Sequence, residues 1–262
     1  MLQMFYVEQL ADIQNVYRDL LKHYIKGFKD NCDKENVLIN IELKEVHSLN
    51  VAENCLKIAK SENLNQEKTL IAYLCGLFHD VGRFEQFTKF HTFKDDESLY
   101  HGELGVEVIK KEQFFKDLPK EIQDIICTAV YNHGLREIQA DVKNDELYFS
   151  KLVRDADKID IYRIVCKYYN TSGPRNIALE YGLEDKAEIS TKPLKDFINK
   201  NLISKQDLES VNDFKLMQIS WIYDLNFNFS KQIIKEKAYI DTILDTIKGE
   251  KAKQIIKQYI TL

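Results

Sequence analysis

Apolar residues at Phe5, Leu10, Ile13, Tyr17, Leu20, Leu21, Tyr24 and Ile25 follow the spacing of one helical face, so the chain is expected to begin with a helix. The next stretch alternates briefly at Ile39, Ile41 and Leu43. Val46, Leu49, Ala52, Leu56 and Ala59 then return to steps of three or four, and a helix is predicted from about Val37 to Lys60. A third should run from about Gln66 to His79, with Gly82 closing it as glycine commonly does. Residues 83–100 hold scattered aromatics and a DDES cluster without a period, and read as a loop with at most a short helical turn. Loops of that length in compact domains are often functional. Further helices are expected over Gly102–Phe115, Pro119–Asn132, Glu146–Tyr169 and Ile177–Tyr181, with Leu118-Pro119 and His133-Gly134 as start and stop signals.

The segment Ser172–Pro193 is the best candidate break, after which Phe197, Ile198, Leu202 and the run Leu216–Ile222 resume helical spacing. From Ser230 to Leu262 the pattern gives one or two Lys-rich amphipathic helices, read as solvated faces rather than a nucleic-acid surface. Nine glycines and three prolines are too few for the many turns of an all-β chain, which leaves an all-α bundle. The expected organisation is one domain over residues 1–262.

Composition narrows the function. With 44% hydrophobic and 30% charged residues the chain reads as an ordinary soluble globular protein, and no apolar run is long enough to cross a membrane. The N-terminus lacks the basic start and small-residue cleavage site of a signal peptide, so a cytosolic location is expected. Five scattered cysteines, odd in number and without a C-x-x-C, argue against a disulfide framework and a thiolate zinc site, and read as reduced, mostly core residues. A net charge of −5 gives no general attraction for long nucleic acid, so a small anionic substrate would have to be drawn in by metals or a few placed cations.

Four of the six histidines, His47, His79, His101 and His133, fall on predicted helices or near their ends. With Asp80 and the cluster RDADKID (Arg154–Asp160) they have the composition of a metal site for zinc, iron, manganese or cobalt. An aspartate beside a histidine can bridge two metals while its neighbour ligates one. Two metals about 3.5–4 Å apart can acidify a water and clamp a phosphoryl oxygen for in-line attack, which is phosphohydrolase chemistry.

The order His47, His79-Asp80 and Asp157 in DADKI resembles the H…HD…D signature of the HD-domain superfamily of metal-dependent phosphohydrolases. His101 in YHGELGVEVI and His133 in YNHG are similar to the two further histidines of its six-ligand, di-metal branch. HDVGRFEQ, TFKDDESLYHGELG and RDADKID resemble motifs of bacterial HD proteins of undefined substrate, and the ligand order is also similar to that of HD-type diadenosine tetraphosphatases. The match covers about Ile41–Cys166, and SWIYDLNFNFSK resembles that bacterial group's C-terminal region. The resemblance implies an HD helical core at about 37–170 with a C-terminal helical extension at about 171–262. It implies two divalent metal ions, one on His47, His79, Asp80 and Asp157 and the other on Asp80, His101 and His133. The implied activity is hydrolysis of a phosphoester or phosphoanhydride in a small phosphorylated substrate, with a nucleotide the first guess. A di-iron oxygenase of the same fold and a metal- or nucleotide-binding sensory module without turnover are the alternatives.

Two positions depart from the family's pattern. Tyr100 precedes the third histidine where a polar residue, often aspartate, is expected, so any carboxylate orienting His101 must come from elsewhere. Arg83 replaces the lysine of HD-x-G-K; it keeps a cation that can grip phosphate by two hydrogen bonds, and is assigned to substrate binding and catalysis. Lys158 either neutralises phosphate in the same way or forms a salt bridge, and Arg154 pairs with an acid such as Asp155 or Asp157 or binds substrate. Asp155 and Asp160 point in other helical directions than Asp157, which is chosen on the resemblance. Phe84, Phe87, Phe90 and Phe93 either stack on a ring of the substrate or pack the loop against the helices, the second being favoured. Trp221 and Tyr223 are expected in the core, and His23 and His91 outside the site.

Overall fold

The computed structural model describes residues 6–32, 35–171 and 180–260, and among these the regular structure is helical, with one isolated bridge between Glu184 and Ser210 and no strand. Phe5 and most of the helix expected at Ile177–Tyr181 lie outside the described residues. The all-α expectation holds. The helices gather into two compact units, Met1–Asp157 and Lys158–Leu262.

The first unit holds α1 (Tyr6–Asp30), α2 (Glu35–Ser61), α3 (Gln66–Phe78), α4 (Gly82–Phe90), α5 (His101–Glu112), α6 (Lys120–Asn132) and the first part of α7 (Asn144–Tyr169). On α1 the buried residues Tyr17, Leu21 and Ile25 recur one turn apart, as the period requires. α3 starts at Asn65, whose side chain accepts from the Lys68 N–H, and is buried without interruption from Ile71 to Phe78. It packs against α1, α2 and α6. At its end Phe78 meets Phe114 and Phe115, each with ring centroids 4.9 Å away. Truncating a buried phenylalanine typically costs about 3–5 kcal/mol. This cluster therefore fixes the end of α3 and the residues that follow it.

In the loop expected over residues 83–100, the first eight residues belong to the helix α4, and a short 3-10 turn follows at Asp95–Glu97. Gly82 opens α4 rather than closing α3. The reason is close packing: a Cβ on Gly82 would lie 2.5 Å from His101 O and 2.6 Å from Gly105 N, so only glycine lets α4 approach α5. Phe84 and Phe87 are buried on α4, Phe90 is exposed, and Phe93 packs on Phe87 with centroids 4.4 Å apart. Packing of the turn, rather than a free stacking surface, accounts for the first two.

The second unit contains the rest of α7, then α8 (Thr191–Ile198), α9 (Val211–Ser220), α10 (Asn228–Glu236), α11 (Tyr239–Asp245) and α12 (Glu250–Tyr259). A capping box opens α9: Ser210 Oγ accepts from the Asp213 N–H, and the Asp213 carboxylate accepts from the Ser210 N–H. Every residue of α9 is buried, so its polar members need partners. Lys215 donates to Thr246 O at 2.7 Å and lies 4.7 Å from the Tyr169 ring centroid; burial pulls its pKa down to about 8. The Lys-rich tail forms three short helices rather than one or two, because the chain turns at Ala238 and Gly249 with φ of +49° and +93°. Trp221 and Tyr223 are only half-buried, and Ile222 and Leu225 fill the interior positions beside them. None of the five cysteines is in a disulfide, and Cys55, Cys75 and Cys166 are buried. Among the described residues no helix is long and apolar enough to cross a membrane.

Candidate metal centre

His79 follows the last residue of α3 and is fully buried, with Nδ1–H donating to Gly76 O at 2.7 Å. His133 repeats this at the end of α6, donating from Nδ1 to Val130 O at 2.7 Å. His101, the first residue of α5, directs Nδ1 at both oxygens of Asp95, at 2.9 and 2.8 Å. Carbonyls and carboxylates can only accept, so in each neutral ring the proton sits on Nδ1 and Nε2 keeps its lone pair.

These Nε2 atoms, with that of His47 from α2, converge on Asp80 in the turn between α3 and α4. His47 and His79 Nε2 are 3.2 Å apart and lie 3.6 and 3.5 Å from Asp80 Oδ2. His101 and His133 Nε2 are 3.0 Å apart and lie 3.7 and 3.5 Å from Asp80 Oδ1. Asp157 on α7 joins the first pair, its Oδ1 3.0 Å from His47 Nε2 and 3.7 Å from His79 Nε2. Each oxygen of one buried carboxylate thus faces a different pair of imidazoles.

Burial lowers the pKa of His79, and burial together with the nearby Arg83 charge lowers that of His101 to about 3, which keeps both rings neutral. Burial alone would raise Asp80 and Asp157. The Lys44 ammonium nevertheless holds Asp80 well below the usual carboxylate range, and the neighbouring His47 does the same for Asp157. His79 and His101 thus present bare nitrogens beside ionised carboxylates. The Nε2 atoms of His101 and His133 stand only 3.0 Å apart, and Asp157 Oδ1 is buried without a hydrogen bond. Both features call for a cation between the donors. Donor atoms of His47, His79 and Asp157, and of His79, Asp80 and His133, lie within 4.8 Å of one another. Nitrogen and oxygen donors steadied from behind by carbonyls or a carboxylate suit borderline divalent cations, and these residues fit such ions.

Other residues singled out from the sequence are placed differently. Arg83, expected at the phosphate, is held by protein acceptors: Nη1 donates to Gln86 Oε1 at 2.6 Å, Phe93 O at 2.7 Å and Asp95 Oδ1 at 3.0 Å. Arg83 fastens the turn that carries Asp95 and so positions His101. Lys158, expected at the substrate, is buried with Nζ 2.7 Å from Asp224 Oδ2, a salt bridge within the second unit. Arg154 donates to the carbonyls of Asn132, His133, Leu135 and Arg136 and closes the end of α6. Asp160 pairs with Arg163 at 2.7 Å. His23 and His91 are exposed, and His91 caps α4 in the left-handed conformation with φ of +56°.

Three residues were missed. Asp95 supplies the carboxylate for His101 that Tyr100 cannot; the Tyr100 hydroxyl donates instead to Tyr131 O. The departure at Tyr100 was the signal, but nothing in DDES selects its first member. Lys44, one turn before His47 on α2, places Nζ 2.6 Å from Asp80 Oδ2. A lone lysine on a helix reads as solvated, so only its spacing from His47 hinted at this. Gly134 lies so close that a Cβ there would come within 2.5 Å of His101 Cε1 and 2.7 Å of its Nε2.

No curated protein and no solved structure matches the chain significantly. Residues 45–163 match the family model of the HD domain, a segment that contains Asp80 and the five residues gathered around it. Over that segment the chain is similar to the HD domain, and the His/Asp cluster it encloses is compatible with the metal site of that family.

Proposed function

We propose that this chain is a metal-dependent phosphohydrolase that cleaves a phosphoester or phosphoanhydride bond of a small molecule, with nucleotides the first class of substrate. The observation that carries the proposal is Asp80, whose two oxygens face separate imidazole pairs and so suit a bridging role. His47, His79, Asp80 and Asp157 would hold one cation, and Asp80, His101 and His133 the other. Two divalent cations so held supply an acidified water and neutralise charge on the phosphoryl oxygens.

The chain's own groups prepare the site. Gly76 O, Val130 O and Asp95 each accept a hydrogen bond from a histidine Nδ1–H, which turns Nε2 inward as a donor of electrons. Burial keeps His79 and His101 from protonating at neutral pH. Arg83 locks the turn at Asp95–Glu97. Since the chain carries a net charge of −5, anion binding depends on local cations, of which Lys44 is one.

Protein purified without air, beside Asp80→Ala, tests the reading. About two metals per wild-type chain, falling below one in the variant, and release of phosphate from at least one nucleotide with manganese, cobalt, zinc or iron are expected. No bound metal after loading, or undiminished phosphate release by Asp80→Ala, would refute it. Dioxygen uptake without phosphate release would assign the site to an oxygenase instead.

A further inference from the structure

Asp80 has a basic side chain on each oxygen. Arg83 Nε lies 3.5 Å from Oδ1, and Lys44 Nζ lies 2.6 Å from Oδ2. The two are held differently. Arg83 is buried and fixed by three further acceptors, Gln86, Phe93 O and Asp95. The Lys44 side chain is 19% exposed, so solvent reaches it, and beyond Asp80 its neighbour is the face of Phe93, 5.3 Å from Nζ to the ring centroid. A lysine ammonium on a flexible stem can turn away from its partner without unfolding anything, and a ring face is a place where it can rest.

Oδ2, the oxygen that Lys44 occupies, is also the one that His47 and His79 face. A divalent cation taken up by those residues needs the same lone pairs, and two positive charges at contact distance from one oxygen repel strongly in a buried site. We propose that metal loading displaces Lys44 from Asp80 and turns its ammonium into the anchor for a phosphoryl oxygen of the substrate. In metal-free protein Lys44 is the counter-charge of Asp80; in loaded protein it is the free cation at the partly exposed side of the site. Substrate phosphate then binds only where metal is already present. The inference rests on the reading of the cluster as a divalent-metal site.

Amine labelling of wild-type protein with an acetylating reagent, read by mass spectrometry, tests it without relying on turnover. Lys44 should be labelled roughly tenfold faster with manganese than without, as expected for release from a charged hydrogen bond, and should be protected again by inorganic phosphate. Exposed Lys57 on the same helix serves as the reference and should not change. Lys44→Gln should bind manganese several-fold more tightly and inorganic phosphate more weakly. Manganese binding with unchanged Lys44 labelling, or with equal affinity in Lys44→Gln, would overturn the inference and leave the functional proposal standing; no manganese binding by wild type would overturn both.

Discussion

Asp95→Asn isolates the contribution of a single carboxylate that touches no metal donor directly with its own oxygens. Asp95 accepts from His101 Nδ1 at 2.9 and 2.8 Å, Arg83 Nη1 at 3.0 Å and Gln86 Nε2 at 2.9 Å. Asparagine keeps the shape and one acceptor, removes the negative charge, and introduces N–H groups that face other donors. Hydrogen bonds to charged groups contribute about 1.5–3 kcal/mol, and partial exposure of Asp95 argues for the lower end. One such bond lost behind a ligand amounts to roughly a tenfold to hundredfold change in metal affinity. The loss should be confined to one half of the site. His101 and His133 face Asp80 Oδ1, whereas His47 and His79 face Oδ2 with Asp157 beside them. Calorimetric titration of manganese into chelator-stripped protein should therefore show one binding step close to wild type and the other weakened by that factor. Two steps unchanged within about twofold, or equal weakening of both, would refute the reasoning that Asp95 acts through His101.

Two more outcomes follow from single contacts. Gly134→Ala drives a methyl to within 2.5 Å of His101 Cε1, a ring held from behind by Asp95, so the same weakened metal step should appear with little change in melting temperature; wild-type titration behaviour would show that the ring can yield. Lys215 loses its proton near pH 8 in the folded protein but near 10.5 when unfolded, so between these values the unfolded chain holds more protons and stability rises with pH. The unfolding free energy from denaturant titration should climb from pH 8 to about 10 in wild type, by on the order of 2 kcal/mol relative to Lys215→Met.

How much of this was legible in the sequence differs by residue. Asp80 and the five residues around it could be selected because histidine and aspartate in a fixed order are rare enough to stand out. α4 was hidden because its start looks like a stop: Gly82 is required by the backbone of α5, a contact made at a distance along the chain. Lys44, Asp95 and Arg154 are common surface residue types whose meaning comes from what packs beside them. Arg154 sits among acids in RDADKID, yet the carbonyls at the end of α6 are its hydrogen-bond acceptors. No periodicity can announce such a partner.

The side chains around Asp80 come from segments far apart in the chain, and Asn54 on α2 donates to Ala156 O on α7 across 102 residues. Closing loops of that length precedes the contacts that reward it, so such contacts form late in folding. During synthesis Asp157 is the last of the six to leave the ribosome, and until it does the half-made cluster is a set of histidines with one carboxylate. The donor set is therefore complete only once α7 has joined the helices that carry the other five residues.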